Sequence, residues 1–89
     1  MSAIPKVTLT AGDVKRLRDG EIRPLIASDG TEVLVAVAGS PYERELTWPH
    51  TLVVTADQLD LIELDPRAGL VVHTKADTEV LFHLVGERQ

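Results

Sequence analysis

Three histidines, fourteen carboxylates and a handful of hydroxyls are the groups in this sequence that could do chemistry. His73 and His83 fall on one face of an expected hairpin in diagonal positions, with Glu79 nearby. That spacing could hold an adventitious metal ion, although ordinary surface or interface histidines would be arranged the same way. Asp57 with Asp60, and Asp60 with Glu63, stand one helical turn apart. Paired carboxylates of this kind serve general acid–base catalysis only where a cleft shifts their pKa, and otherwise make a solvated acidic face. Ser28 and Ser40 lack a nucleophile signature, and the glycines form no phosphate-cradling loop. With no cysteine, disulfides, thiolate zinc sites, iron–sulfur clusters and a Cys nucleophile are excluded. No catalytic, metal or cofactor residue is assigned, and a non-enzymatic protein is expected.

The elements that would position these residues follow from an internal repeat. Val7-Thr8-Leu9-Thr10-Ala11-Gly12-Asp13-Val14 resembles Leu52-Val53-Val54-Thr55-Ala56-Asp57-Gln58-Leu59, and Thr31-Glu32-Val33-Leu34 recurs as Thr78-Glu79-Val80-Leu81. The offset grows from 45 to 47, as if two strand–helix–hairpin units, 7–38 and 52–85, differed by an insertion between helix and strand. Thr10 with Asp13, and Thr55 with Gln58, have the spacing of helix N-caps, and Gly20 suits a left-handed C-cap. Val14 with Leu17, and Leu59 with Ile62, give each short helix one apolar side.

Asp29-Gly30 reads as a two-residue hairpin turn that pairs Ser28 with Thr31. Counting outward puts Ile22, Pro24 and Ile26 on a core face with Val33, Val35 and Val37, and Leu25, Leu34 and Ala36 on the other face. Pro24 cannot donate to a ladder, so its strand should be an edge or carry a bulge. In the second hairpin a loop of Ala76-Asp77-Thr78 sets Leu70 and Val72 against Val80, Phe82 and Leu84, with Lys75 opposite Glu79. The expected fold is a small α+β single domain spanning 1–89, its duplicated units forming a mainly antiparallel sheet; a small pseudo-twofold β-barrel with two helices is the alternative.

Partner contacts are suggested by two features. Leu25, Leu34, Ala36, Val71, Leu81 and Val85 make the outer sheet face too apolar to be wet, so helices, a curled sheet or a second copy should cover it. The linking loop 39–50 holds the only Tyr and the only Trp. Tyr42, Arg44, Trp48 and His50 there are of the kinds that anchor interfaces, while Trp48 could instead plug a core short of aromatics. Leu34 and Leu81 complete the set of candidate contact residues.

The chain has 89 residues and a net charge of -5. At this length only a single thin core can form, which leaves little room for a deep substrate cavity. Its acidity argues against phosphate-backbone binding and so against nucleic acid. The basic charge gathers in Lys15, Arg16, Arg18 and Arg23, and the acidic in Asp57, Asp60, Glu63 and Asp65, so that helices of opposite sign could pair between copies. No apolar run approaches the roughly 20 residues of a membrane span, and the first residues lack a signal-peptide apolar region, so a cytoplasmic protein without membrane partners is expected.

Gly20-Glu21-Ile22-Arg23-Pro24-Leu25, Asp29-Gly30-Thr31-Glu32-Val33-Leu34-Val35-Ala36-Val37, Ser40-Pro41, Thr55-Ala56-Asp57-Gln58-Leu59 and Gly69-Leu70-Val71-Val72 together resemble the SseB-type N-terminal domain family over about residues 20–86. Ala38-Gly39-Ser40 stands where that family has a Phe-Thr-Ser-like end, and His73-Thr74 replaces its Asn-Pro. The resemblance implies a bacterial α+β accessory domain and carries no chemistry onto any residue. A self-associating protein-interaction module is therefore the expected function. The alternative is a small-ligand or substrate-binding domain using the groove around the 39–50 loop.

Overall fold

Thr10 and Thr55 each open a helix in the same way. The hydroxyl accepts the backbone N–H of the third residue on, and that residue's side chain, from Asp13 or Gln58, accepts the threonine's own N–H. Two orphan donors are thereby satisfied at each helix start. At the end of the first helix Gly20 N–H donates to Leu17 and Glu21 N–H to Arg16, which is a Schellman closure.

A computed structural model describes residues 4–41, 43 and 46–84. Along the chain lie β1 (Lys6–Leu9), α1 (Ala11–Arg18), β2 (Arg23–Ile26), β3 (Glu32–Val37), β4 (Thr51–Val54), α2 (Ala56–Leu64), β5 (Leu70–His73) and β6 (Glu79–Leu84). The fold is α+β, with two three-stranded sheets ordered β1-β6-β5 and β2-β3-β4. In each, an antiparallel hairpin takes up a parallel strand from the other half of the chain.

The duplication is kept in the registers. Val7 pairs with Phe82 as Leu52 pairs with Val35, and Leu25 pairs with Val33 as Val72 pairs with Val80. These correspondences carry the offsets of 45 for strand and helix and 47 for hairpin. The core repeats it too: Val7 and Leu52, Leu9 and Val54, Val14 and Leu59, Leu17 and Ile62, Val35 and Phe82 are all buried. The two sheets do not close into a barrel. No ladder joins β1 to β2 or β4 to β5, and each corner is held by Ser28 N–H to Lys6 C=O at 2.8 Å or by Lys75 N–H to Thr51 C=O at 3.0 Å.

The first hairpin differs from the two-residue turn expected. Ala27 N–H donates to Thr31 C=O and Gly30 N–H to Ala27 C=O, so the loop is Ser28-Asp29-Gly30 with Gly30 at φ +90°. A type I turn followed by one left-handed residue needs glycine only at its last position, and Asp29 secures it by accepting Thr31 N–H. A one-residue slip exchanges the two faces of a strand. Leu25 and Ala27 therefore turn inward beside Val33 and Val35, while Pro24 and Ile26 point out, Ile26 being 64% exposed. Pro24 is accommodated because β2 is an edge strand.

The second hairpin is built the same way. Thr74 N–H donates to Thr78 C=O, Asp77 N–H to Thr74 C=O, and Asp77 takes the left-handed position at φ 63°. The loop is 75–77, so His73 rather than Lys75 lies opposite Glu79. Because the slip is two residues, Leu70, Val72, Val80 and Phe82 keep the shared face expected of them. The two charged helices meet within one chain: Arg18 of α1 donates to Asp60 at 2.7 Å and Glu63 at 2.5 Å on α2.

Candidate functional site

Tyr42, Arg44 and Val85 fall outside the described residues. Trp48 does not plug the core. It is 46% exposed, meets the His50 ring edge-on at 5.6 Å between centroids, and its Nε1–H points to Glu32 C=O at 3.4 Å. Among the described residues of this connection Leu46 is the buried one, and its carbonyl accepts the Lys75 ammonium at 2.6 Å.

His50 also lines a cavity of about 130 Å³ between the two hairpins. Its walls come in pairs related by the duplication: Pro5 and His50, Ala27 and Thr74, Thr31 and Thr78, Val33 and Val80. Asp29 completes the lining. Val33 and Val80 are buried core residues and make an apolar floor, whereas Asp29 and Thr78 are exposed at the mouth. Thr31 donates to Asp29 from its backbone N–H and its hydroxyl, which holds the Asp29 carboxyl below its usual range, with His50 adding a smaller effect. Thr74, buried in the wall, accepts the N–H groups of Ala76 and Thr78 with its hydroxyl oxygen. Of this constellation the sequence marks only His50 as a candidate contact residue, the others entering as turn, strand or repeat positions. The signal that could have found the rest is the repeat itself, because residues at equivalent hairpin positions converge wherever the two halves face each other.

Leu34 and Leu81 occupy equivalent places, each on the outer face of its sheet and partly buried. Their surroundings differ. Beside Leu34, Ala36 and Thr51 are fully buried although they face away from the core. The chain from β3 to its parallel neighbour β4 must cross a face of the sheet, and Leu46 is buried among the described residues of that crossing. Around Leu81, Lys6, Thr8 and Val71 are exposed, Val71 by 44%. Thus Ala36 and Thr51 are buried on one outer face, while on the other Lys6, Thr8 and Val71 are open among the described residues.

His73 Nε2 lies 3.6 Å from Glu79 Oε2, and His83 Nε2 lies 3.0 Å from Thr8 Oγ1. Among the described residues no three histidine or acidic side chains are grouped to hold a metal ion. A wider cleft of about 450 Å³ is bounded by Gly39, Ser40, Pro41 and Glu43 at the start of the linking loop. No helix among the described residues is long and apolar enough to cross a membrane. Comparison of the chain with protein-family models, curated proteins and solved structures finds no match in any of the three.

Proposed function

We propose that the domain is a non-enzymatic, cytoplasmic protein-interaction module that associates with a second copy of itself through the outer face of the β1-β6-β5 sheet. The observation that carries this reading is the difference between the two faces: Ala36 and Thr51 are buried beside Leu34, while Val71 stays exposed beside Leu81. An exposed valine beside a partly buried leucine on an outer sheet face marks a surface suited to a partner. The charge of -5 suits protein rather than nucleic acid as that partner. The resemblance to SseB-type N-terminal domains accords with an accessory role.

Light scattering tests it. A mass near twice the 9.7 kDa chain is expected, with Leu81→Asp and Val71→Asp giving folded monomers by circular dichroism. A parent mass of one chain at tens of micromolar overturns the reading.

A second reading, a small-ligand domain using the groove around the 39–50 loop, draws on the cleft bounded by Gly39 to Glu43, whose volume lies in the range of roughly 300 to 1,000 Å³ typical of ligand sites. Saturable displacement of backbone resonances of Gly39 and Ser40 by a small metabolite, with none at Val71 or Leu81, would favour it.

A further inference from the structure

The cavity between the hairpins has a size, a polarity gradient and a charge that together specify an occupant. Its 130 Å³ is well below the roughly 300 Å³ at which sites for free metabolites begin, and close to the roughly 150 Å³ that a benzene-sized group fills. One side chain matches it. The floor is Val33 and Val80, with Ala27 and Pro5 beside them, so the deep end offers no partner to a charged or hydrogen-bonding tip. The buried Thr74 in the wall has its hydroxyl oxygen taken up by the N–H groups of Ala76 and Thr78, and the exposed polar groups, Asp29 and the Thr78 hydroxyl, with His50, can meet the main chain or the neighbours of whatever enters.

The rim is acidic. The carboxylate among the residues lining the cavity is Asp29, and Asp77 stands at the tip of the second hairpin, whose Lys75 gives its ammonium to the Leu46 carbonyl. Trp48, exposed and edge-on to His50, adds an aromatic surface on which aliphatic stems or cations can lie. An apolar socket ringed by polar and aromatic groups is the arrangement found at the energetic centre of protein interfaces.

From these features we infer that the cavity receives one leucine-sized aliphatic side chain of a partner polypeptide whose flanking residues are basic. The inference rests on reading the domain as an interaction module, but it uses a different surface from the β1-β6-β5 face.

The test is a nuclear magnetic resonance titration of the full chain with end-blocked tripeptides. Lys-Leu-Lys is expected to shift the amides of Thr31, Val33, Thr78 and Val80 saturably in the millimolar range. Lys-Gly-Lys should leave them unmoved, and Glu-Leu-Glu should bind about tenfold more weakly, the effect of reversing charge beside an acidic rim. Val80→Phe, which fills the socket from below, should abolish the response; Thr78→Leu, at the exposed mouth, does the same with less risk to folding. The inference is overturned if Lys-Gly-Lys or Glu-Leu-Glu matches Lys-Leu-Lys, if isobutanol saturates the same amides as tightly as the peptide, or if no peptide moves them. A monomeric parent in light scattering would end the self-association reading and leave this result unaffected, so the two can fail separately.

Discussion

Ser28 donates its backbone N–H to the carbonyl of Lys6 at 2.8 Å, tying the tip of one hairpin to a strand of the opposite sheet. Lys75 repeats the bond to Thr51 at 3.0 Å in the second half of the chain. One corner, however, differs in what surrounds it. Lys6 is exposed, while Thr51 is fully buried and its hydroxyl has no hydrogen-bond partner among the described residues.

That hydroxyl sets the first prediction. A buried polar group without a partner costs about 1 to 3 kcal/mol, and valine has nearly the same shape as threonine. Thr51→Val is expected to raise the unfolding free energy by about 1 kcal/mol, read as a higher urea midpoint with an unchanged slope. A lower midpoint would mean that the hydroxyl is satisfied in solution.

The hairpin loops give a reciprocal pair. Gly30 has open space where a Cβ would stand but a φ of +90°, so Gly30→Ala pays only the backbone cost, about 1 to 2 kcal/mol. Asp77 holds the equivalent position at φ 63°, and Asp77→Gly is expected to be neutral or stabilising by up to about 1 kcal/mol. Thermal or urea unfolding of the two variants should move in opposite directions, or the second not at all.

Asp13 is expected to contribute to stability against acid. Burial pushes its carboxyl up, but hydrogen bonds from the Thr10 backbone and hydroxyl, and from Arg23 at 3.1 Å, outweigh this and leave it below its usual value. A carboxyl depressed in the folded state stabilises above its unfolded pKa of about 3.9, and that stabilisation is lost as pH falls through the lower folded value. Asp13→Asn should be less stable than the parent at neutral pH, with the gap closing in strong acid. At the equivalent sites of the second half stand Gln58 and Leu70, neither of which titrates, so no matching acid-sensitive step is expected from the second cap.

Arg18 should matter less than its short contacts suggest. Asp60 and Glu63 are largely exposed, and exposed ion pairs contribute about 0 to 1 kcal/mol and weaken with salt. Arg18→Ala is expected to lower the urea midpoint slightly at low ionic strength, with the difference vanishing near 1 M salt. A large loss that persists in salt would show that the aliphatic stem, and not the charge, holds α1 to α2.

Much of the architecture was legible because local chemistry repeats. The caps at Thr10 and Thr55, the closure at Gly20 and the strands around Val33 and Val80 are written in short windows of sequence. The slip at Asp29-Gly30 was not, because a two-residue turn and a three-residue turn ending in a left-handed glycine use the same residues. Which half each strand joins was also hidden: nothing in Lys6–Leu9 states that its partner is Leu81–Leu84 rather than a strand nearby. The cavity depends on that long-range pairing, and so Asp29, Thr31 and Thr78 read only as turn and repeat positions while His50 was picked out only as a loop residue.

The exchange of β1 and β4 between the two hairpins bears on how such a chain could have arisen. A gene encoding one unit alone would make a protein whose first strand has no hairpin of its own to join. Two such molecules could satisfy one another by trading those strands, and joining them end to end would reproduce the present pairing. The link from Val37 to Thr51 would then be the trace of that fusion, a stretch of chain that only the fused form possesses.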